Sequence, residues 1–336
     1  MPNVQRSSPP STVTDGRAGN VRQAVALAGA LRLGTHQPLT LLPRAPWRWV
    51  SPRRLPGDLA HGYGDAFRTL AANPPALAIG CGRQAAGALR ALRTRGTQVV
   101  QILDPRISAQ HWDLVVVPEH DRLRGDNVLT LLGSLNPVDD DWLSVGRAAF
   151  VDFGALPGPR TALLVGGPTA HARWDEAAMR EVFVQLAAQI RHEGGSLLAT
   201  TSRRTPPVLA EALRSTFAGL PHVIWGDGGD GVNPYAGLLG WADRVVVSPD
   251  SVNLLSEACA TRVPVMVALD ATVQGRMQHF QRSLHARGRL QPQWLDWAHG
   301  PIEPLRETAR VADEVKRRLG LPGVDGQRPS LPIVRG

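Results

Sequence analysis

The sequence has little cysteine, one lysine and no long apolar run, and each shortage excludes a class of protein. Its 336 residues include two cysteines, Cys81 and Cys259, too few for a disulfide framework or a cysteine-based metal site. No apolar run approaches the roughly 18 residues that a membrane-spanning helix needs, and residues 1–10 lack the apolar core of a signal peptide. We therefore expect a cytoplasmic protein that is at most peripheral on the inner face of a membrane.

The single lysine, Lys316, excludes one further enzyme class. Short-chain reductases and epimerases need a tyrosine four residues before a lysine, and Ala312 stands at that position. The chain also lacks the ligand spacing of a zinc site and the order of a Ser-His-Asp triad. Nothing in it matches a nucleic-acid-binding motif. We expect no metal, no resident cofactor and no nucleic-acid partner.

The net positive charge is concentrated in the first half of the chain. The net charge is +8, and from residue 17 to residue 57 there are seven arginines and no acid. One loop of this stretch interleaves tryptophan with arginine, at Arg44, Trp47, Arg48, Trp49, Arg53 and Arg54. Such a cluster can attract an anionic membrane surface, a phosphorylated acceptor or nucleic acid. The alternative is compositional bias, since the chain uses arginine almost to the exclusion of lysine.

Length and hydrophobic pattern predict two α/β domains. A chain of 336 residues exceeds the usual size of one domain. Short β-branched runs alternate with amphipathic helices, which indicates parallel sheets covered by helices. A Gly- and Pro-rich linker follows residue 153, so we place the N-terminal domain at 11–153 and the C-terminal domain at 160–304. We expect a helix at 305–320 that packs back across the joint, and disordered tails at 1–10 and 325–336.

Three polar loops follow predicted strands of the C-terminal domain. Because the carboxyl ends of parallel strands lie at one edge of a sheet, we expect these loops to converge there. A glycine pair at such an edge lets the backbone approach a diphosphate, and arginines bind anions. The alternative is three separate solvated loops. The residues concerned are Gly166, Gly167, Thr169 and His171 in the first loop, Ser202, Arg203 and Arg204 in the second, and Asp250 and Ser251 in the third.

The helix after the strand at 244–248 is the strongest single indication of a ligand site. Asp250 and Ser251 suit its N-cap, and a helix N-terminus favours phosphate. Glu257, about two turns into the helix, could accept hydrogen bonds from the hydroxyls of a sugar. The alternative is an ordinary βαβ unit with a solvated glutamate. If Glu257 binds a ribose, we expect Glu257→Ala to weaken nucleotide binding and to leave folding intact, because alanine is the better helix former. In the alternative, nucleotide affinity is unchanged and any effect appears only in the melting temperature.

Two features of the N-terminal domain admit more than one interpretation. Residues 80–85 match the dinucleotide pattern G-x-G-x-x-A, with Asp104 ending the next strand, although two strands precede the pattern where normally none does. Asp15, in the first glycine loop, and His120, between two acids, are candidates for proton transfer. The alternative for His120 is a hydrogen-bonded loop histidine.

Seven motifs occur along the chain from about residue 13 to residue 270. In chain order they are Asp15-Gly16-Arg17-Ala18-Gly19-Asn20 with Gln23, Asp104-Pro105-Arg106, Pro118-Glu119-His120-Asp121, Gly166-Gly167-Pro168 with His171 and Trp174, Thr201-Ser202-Arg203-Arg204-Thr205-Pro206, Asn233-Pro234-Tyr235, and Asp250-Ser251 with Ser256-Glu257-Ala258. Together they resemble the mitochondrial fission ELM-type family, which comprises a plant protein and many bacterial relatives. One departure is Asn253-Leu254, where the family has Ser-Met.

The resemblance implies a fold and a function, because that family is similar to GT-B glycosyltransferases. It implies an α/β fold with two Rossmann-like domains facing across a cleft, and a nucleotide-diphosphate sugar as substrate. Gly166 and Gly167 would then meet the diphosphate, Ser251 would lie at a phosphate and Glu257 at the ribose.

The remaining roles follow from the same transferase interpretation. Asp15 or His120 would deprotonate the acceptor, and Arg203 and Arg204 would stabilise the departing diphosphate in place of a metal. The acceptor side would comprise Gly16, Gly19, Asn20, Arg83 and Arg106. For plant members the resemblance implies recruitment of a dynamin-like protein to the mitochondrial surface, so a non-catalytic adaptor is the alternative function.

Overall fold

The computed structural model of the chain describes residues 9–53, 62–297 and 302–322. Arg54 and nearly all of the two predicted disordered tails lie outside these ranges. The chain divides into two compact units, one formed by Met1–Leu131 with Glu307–Gly336 and the other by Leu132–Arg306. Each unit has its own parallel sheet, so the prediction of an α/β fold with two Rossmann-like units is confirmed.

The first unit contains a six-stranded parallel sheet in the order β2-β1-β3-β4-β5-β6. The chain leaves β1 toward β2 and returns to β3 on the other side of β1, which makes the crevice between β1 and β3 the topological switch point. The polar strand β1 is fully buried, because β2 and β3 satisfy its backbone on both sides. The strands are β1 Ser11–Thr14, β2 Gln37–Thr40, β3 Leu77–Cys81, β4 Gln98–Ile102, β5 Leu114–Pro118 and β6 Val128–Leu131.

Helices cover the first sheet on buried, alanine-rich faces. Ala85, Leu89 and Leu92 of the fourth helix are completely buried and belong to the core cluster of this unit. That helix begins directly after Gly82, whose φ of 88° is left-handed and therefore suits glycine. The helices are α1 Ala18–Leu31, α2 Trp47–Val50, α3 Asp65–Ala72 and α4 Arg83–Arg93, and a 3-10 turn spans Ala109–His111.

The second unit contains a five-stranded parallel sheet in the order β11-β10-β7-β8-β9. From β7 the chain first extends the sheet through β8 and β9, then crosses back to β10, so the switch point lies between β7 and β10. The strands are β7 Arg160–Val165, β8 Ser196–Thr201, β9 His222–Trp225, β10 Arg244–Val247 and β11 Val265–Val267. The helices are α5 Asp140–Ala149, α6 Glu176–Glu193, α7 Pro207–Phe217, α8 Tyr235–Trp241, α9 Val252–Cys259 and α10 Gly275–Ala286, with 3-10 turns at Val151–Ala155, Gly228–Asp230 and Asp270–Thr272.

The longest helix of this unit, α6, is bounded by two strong local signals. The Asp175 carboxylate caps its first turn by accepting a hydrogen bond from the Ala178 amide at 2.7 Å. Gly194 ends it with a left-handed φ of 69°. Between them Met179, Phe183 and other apolar side chains are buried against the sheet.

The structure places the boundary between the units earlier than the predicted linker. Residues 132–153 were assigned to the first domain, but α5 packs tightly on α8 of the second unit. A hydrogen bond from the Arg147 guanidinium to the Gly240 carbonyl, at 3.1 Å, joins the two helices. Hydrogen bonds from Arg306 and Arg262 also hold Asp140 in this unit and keep the pKa of that carboxyl well below its usual range.

The last helix, α11 Glu307–Leu319, belongs to the first unit. It packs against α1, and its Arg310 donates to the Thr130 carbonyl of β6 at 2.7 Å. Gln98 of β4 donates to the carbonyl of Leu319 at 3.0 Å. Throughout the described part of the chain, every helix is too short or too polar to cross a membrane.

The contact between α5 and α8 depends on a glycine, which gives a test of the domain boundary. A Cβ at Gly146 would lie 2.4 Å from the Ala236 carbonyl oxygen, whereas one at Gly29 in α1 would meet nothing within 4 Å. We expect Gly146→Ala to lower the free energy of unfolding by about 1–3 kcal/mol through overpacking. The matched change Gly29→Ala should raise it by about 0.5–1 kcal/mol through helix propensity. Denaturant unfolding measures both, and a stabilising Gly146→Ala would contradict the assignment.

Candidate functional site

Hydrogen bonds join each of the three predicted loops to the other two at the switch point of the second unit. β7 lies between β10 and β8, so the loops after these three strands meet at one edge of the sheet. Thr205, in the loop after β8, donates to the Gly166 carbonyl after β7 at 2.6 Å. Asp250, after β10, accepts from the Gly167 amide at 3.0 Å and from the Arg204 guanidinium at 3.0 Å. The predicted convergence of Gly166, Gly167, Arg204 and Asp250 is therefore present.

The Asp250 carboxylate is the centre of this arrangement. Its side chain is 0% exposed, although it carries a charge. Oδ1 accepts from the Ser248 hydroxyl at 2.7 Å, while Oδ2 accepts from Gly167 and Arg204. Three donors, one of them cationic, offset the cost of removing a carboxylate from water.

The two glycines are required by the packing of the protein itself. A Cβ at Gly166 would lie 2.1 Å from the Asp250 Oδ2, and a Cβ at Gly167 would lie 2.1 Å from the Arg204 carbonyl oxygen. The Gly166 amide donates to the Ser248 Oγ at 2.7 Å, and the Gly167 amide donates to Asp250. This differs from the expectation that these amides face a diphosphate, because two side chains of the β10 edge already accept from them.

The other predicted residues of the first two loops take separate positions. Thr169 Oγ1 accepts from the amides of His171 and Ala172, at 3.3 and 3.2 Å, and thereby closes a tight turn. His171 is exposed on that turn, and its carbonyl accepts from the Gln274 amide at 3.0 Å. Ser202 Oγ accepts from the Arg204 amide at 3.2 Å, while Arg203 is exposed. Thr169 and His171 therefore support a neighbouring turn, and Ser202 shapes the arginine loop.

Ser251 and Glu257 lie on α9, the helix that follows the switch point. Ser251 Oγ accepts from the Leu254 amide at 3.3 Å, which is the predicted N-cap. Glu257 is 1% exposed, and its Oε2 accepts from the Tyr235 hydroxyl at 2.5 Å. The alternative of a solvated glutamate is therefore wrong. The hydroxyl of Tyr235 already donates to the carboxylate that was expected to accept from a ribose.

In the first unit, the loop after β1 is closed by Asp15. Its Oδ1 accepts from the Asn20 side-chain amide at 2.8 Å and from the Arg17 amide at 3.2 Å. Asn20 in turn lies against Gly82, where a Cβ would be 2.6 Å from the Asn20 Nδ2. Gly16, which has a left-handed φ of 77°, starts the loop, and Gly19 lies in the first turn of α1. Asp15 and Asn20 therefore lie together at the switch point of this unit.

The remaining candidates of the first unit serve local structure. The Arg83 guanidinium donates to the carbonyls of Arg48 and Trp49, at 3.1 and 3.3 Å, and so fixes the basic loop instead of facing an acceptor. Arg106 has a left-handed φ of 64°, and its amide donates to Asp104 at 2.7 Å.

His120 and Asp15 do not form a catalytic pair. His120 is half-buried in the turn after β5, which lies three strands from β1 in the sheet. At about 4.8 Å per strand spacing, its turn is about 14 Å from the Asp15 loop. Asp15 and His120 are therefore alternative candidates for the base that deprotonates the acceptor.

Both cysteines are buried. Burial raises the pKa of the Cys81 thiol far above its usual range, and the nearby Asp15 charge adds to this shift. Burial also raises the pKa of Cys259 to about 12. Among the described residues, no three His, Cys, Asp or Glu side chains form a possible metal site.

Sequence reasoning missed two residues of the site. Ser248, which both accepts from Gly166 and donates to Asp250, was read only as the end of a strand. Tyr235 was quoted within a motif but was given no role. Tyrosine occurs only twice in the chain, and this scarcity, together with its position at the start of a helix, was the available signal.

The fold and the site define a class of protein: a chain of two Rossmann-like α/β units with a polar, hydrogen-bonded switch point in each. Comparison then identifies the family. The family model described as "Mitochondrial fission ELM1" matches residues 18–319 of the chain. The chain is 30% identical over 292 residues to the mitochondrial fission protein ELM1 of Arabidopsis thaliana, covering 77% of this chain and 67% of that protein. The chain belongs to the mitochondrial fission ELM1 family, which confirms the resemblance seen in the sequence.

Solved structures are similar at lower identity. MurG of Acinetobacter baumannii is 16% identical, with a TM-score of 0.46, and the match covers 94% of this chain and 92% of that chain. The UDP-GlcNAc 2-epimerase of Methanocaldococcus jannaschii, solved with UDP-GlcNAc and UDP, is 12% identical, with a TM-score of 0.49, and the match covers 92% of this chain and 100% of that chain.

The burial of Glu257 corrects the expectation that Glu257→Ala leaves folding intact. We expect this change to lower the free energy of unfolding by about 1–3 kcal/mol, because the buried Tyr235 hydroxyl loses its carboxylate acceptor. Glu257→Gln keeps an oxygen acceptor and should cost less. Glu211→Ala, on the exposed face of α7, is the matched control and should be close to neutral. Equal denaturation midpoints for Glu257→Ala and wild type would show that the contact does not stabilise the unit.

Proposed function

We propose that the second unit binds a nucleotide-diphosphate sugar and that the chain is a glycosyltransferase of the GT-B-like class. The observation that carries this proposal is the convergence of the loops after β7, β8 and β10 at one switch point, tied together through Thr205, Arg204 and Asp250. Open α/β sheets bind ligands at a topological switch point. There the chain connections leave two neighbouring strands in opposite directions, and a crevice forms between them.

The diphosphate would lie between the arginine loop and the start of α9. Arg203 is exposed, and the Arg204 side chain is 51% exposed, so both guanidinium groups can turn toward an anion. The first turn of α9 contains no acidic residue, which leaves its positive dipole end available to a phosphate next to Ser251. These groups would stabilise the charge on the departing diphosphate without a metal. Glu257 would bind the ribose in exchange for Tyr235.

The acceptor would bind at the first unit, with Asp15 or His120 as the base. Asp15 is favoured because Asn20 holds its carboxylate in a fixed orientation while its side chain remains 15% exposed. A positioned carboxylate of this kind can remove a proton from an acceptor hydroxyl.

An adaptor without catalysis is the second candidate. It is favoured by the internal contacts of Asp250 and Glu257, which engage the Gly167 amide and the Tyr235 hydroxyl within the protein. A chain that satisfies its own switch point needs no ligand to be stable there. Such a protein would keep the fold and act through its surface, in line with the family name.

The basic loop is proposed as a contact with an anionic membrane. Arg44, Arg48 and Arg53 are exposed, and Trp49 of the same loop is 64% exposed. Adjacent Leu42 is 71% exposed, so apolar and cationic side chains occur together, as they do in interfacial segments. The loop is held in place, since Gln84 and Arg90 of α4 donate to the carbonyls of Arg48 and Pro52 at 2.9 and 2.7 Å.

A thermal-shift screen of UDP-, GDP-, ADP- and CMP-sugars tests the transferase proposal. Specific binding of one of them at 100 times its Kd should add about 2.7 kcal/mol of stability. Calorimetry on Glu257→Gln should then show weaker binding of the same ligand. Unchanged melting with every nucleotide sugar would contradict the proposal and favour the adaptor.

Liposome co-sedimentation tests the membrane contact. The triple change of Arg44, Arg48 and Arg53 to Gln should weaken binding to phosphatidylserine vesicles by about 1 kcal/mol per arginine, or roughly a hundredfold in total. A control with equal charge loss changes exposed arginines of the second unit, Arg180, Arg191 and Arg282, to Gln. If both triple variants lost the same affinity for the vesicles, net charge alone would explain the effect, and the proposed membrane contact of the loop would be contradicted.

A further inference from the structure

The ion pair between Arg204 and Asp250 joins an exposed side chain to a buried one. The Asp250 side chain is 0% exposed, whereas that of Arg204 is 51% exposed, and the two are 3.0 Å apart. The Arg204 backbone is fixed, because its amide donates to Ser202 Oγ and its carbonyl packs on Gly167. The guanidinium is therefore the half of the pair that can move.

Asp250 keeps most of its partners when Arg204 leaves. The Ser248 hydroxyl donates to Oδ1 at 2.7 Å and the Gly167 amide donates to Oδ2 at 3.0 Å, and both donors are buried. The carboxylate thus stays hydrogen-bonded without the arginine. Loss of the guanidinium costs one charge-assisted bond that is half open to water, which is a modest cost.

A diphosphate would compete with Asp250 for the same group. Phosphate oxygens bind guanidinium groups through the charge-assisted hydrogen bonds that a carboxylate also accepts. Asp250 is tethered next to Arg204 and therefore competes at a high effective concentration. While Arg204 is paired with it, the arginine's positive charge is neutralised by Asp250 and attracts an approaching anion less strongly.

We propose that Asp250 is an internal competitor of the diphosphate and that ligand binding requires Arg204 to turn from Asp250 to a phosphate. This inference rests on the proposed function and adds a selectivity to it. A ligand with a single negative charge does not displace Asp250 from the Arg204 guanidinium, whereas a diphosphate does. Asp250 is then a positioning residue, which sets affinity through Arg204 and does not touch the phosphate.

The test is calorimetry of inorganic pyrophosphate with wild type and Asp250→Asn. Asparagine keeps the shape, can accept from Gly167 and can donate to Ser248, but it removes the negative charge that holds Arg204. We expect pyrophosphate to bind Asp250→Asn about tenfold more tightly, the effect of one charged hydrogen bond. The control is Asp230→Asn, because Asp230 also accepts from a glycine amide, of Gly226 at 2.7 Å, and from an arginine, Arg214 at 2.6 Å, yet lies after β9 outside the site. Its affinity for pyrophosphate should equal that of wild type.

A double-mutant cycle shows whether the gain passes through Arg204. Arg204→Gln should remove the tenfold gain in the Asp250→Asn background and have a smaller effect alone, because in wild type part of the arginine's binding energy is spent in leaving Asp250. A merely structural role of Asp250 would instead give the same loss in both backgrounds. Equal or weaker pyrophosphate binding by folded Asp250→Asn would overturn the proposal.

Should Asp250→Asn not fold, the wild-type protein supplies the test. In nitrogen-15 spectra the Arg204 Nε–H signal should move on titration with pyrophosphate, and a stationary Arg204 signal beside other shifted signals would overturn the proposal. The outcomes separate the two proposals. Tighter pyrophosphate binding by Asp250→Asn without any binding of nucleotide sugars would support the competitor and contradict the transferase. If wild type and Asp250→Asn bound a nucleotide sugar with equal affinity, the transferase proposal would be supported and the competitor proposal contradicted.

Discussion

A carboxylate taken fully out of water is stable only where donors are already in place, and Asp250 obtains them from three separate strand-end segments. The loop after β7 provides the Gly167 amide, the loop after β8 provides Arg204, and the end of β10 provides the Ser248 hydroxyl. One side chain therefore contacts all three segments at once. The glycine at 166 follows from the same constraint, since a Cβ there would collide with Asp250.

The two units use the same device with different side chains. In the first unit Asn20, in the first turn of the helix after β1, lies against Gly82, directly before the helix after β3. In the second unit Asp250, from the loop after β10, lies against Gly166 after β7. Each pair spans the switch point of its sheet, where the loops would otherwise diverge. The second unit differs in placing a charge there, with a partly exposed arginine as its partner.

The sequence was sufficient for the fold because the strands of both sheets are short apolar or β-branched runs bounded by polar residues. It was not sufficient for the boundary between the units. Helix α5 has an ordinary amphipathic pattern, and its contacts in the folded chain, such as that of Gly146 with Ala236, show which unit it joins. Strand β6 was not predicted, since a run of four residues, Val128–Leu131, gives too little pattern.

The sequence predicted which residues meet at the candidate site, but not which hydrogen bonds join them. Spacing after strands was enough to bring Gly166, Arg204 and Asp250 to one edge, because parallel strands end together. That Asp250 would accept from the glycine amide, and that Glu257 would be buried under Tyr235, depends on side-chain packing between distant segments. Periodicity contains no information on such contacts, so both residues were expected to face a ligand.

Hydrogen–deuterium exchange with saturating UDP, GDP or ADP shows whether a diphosphate binds at the switch point of the second unit. We predict slower exchange of the amides in residues 166–173, 201–206 and 249–254 with one of these nucleotides, and unchanged exchange in residues 80–85 of the first unit. Protection confined to residues 80–85 would instead place the nucleotide at the dinucleotide-like pattern of the first unit and contradict the account. Unchanged exchange in all four segments with all three nucleotides would contradict it as well.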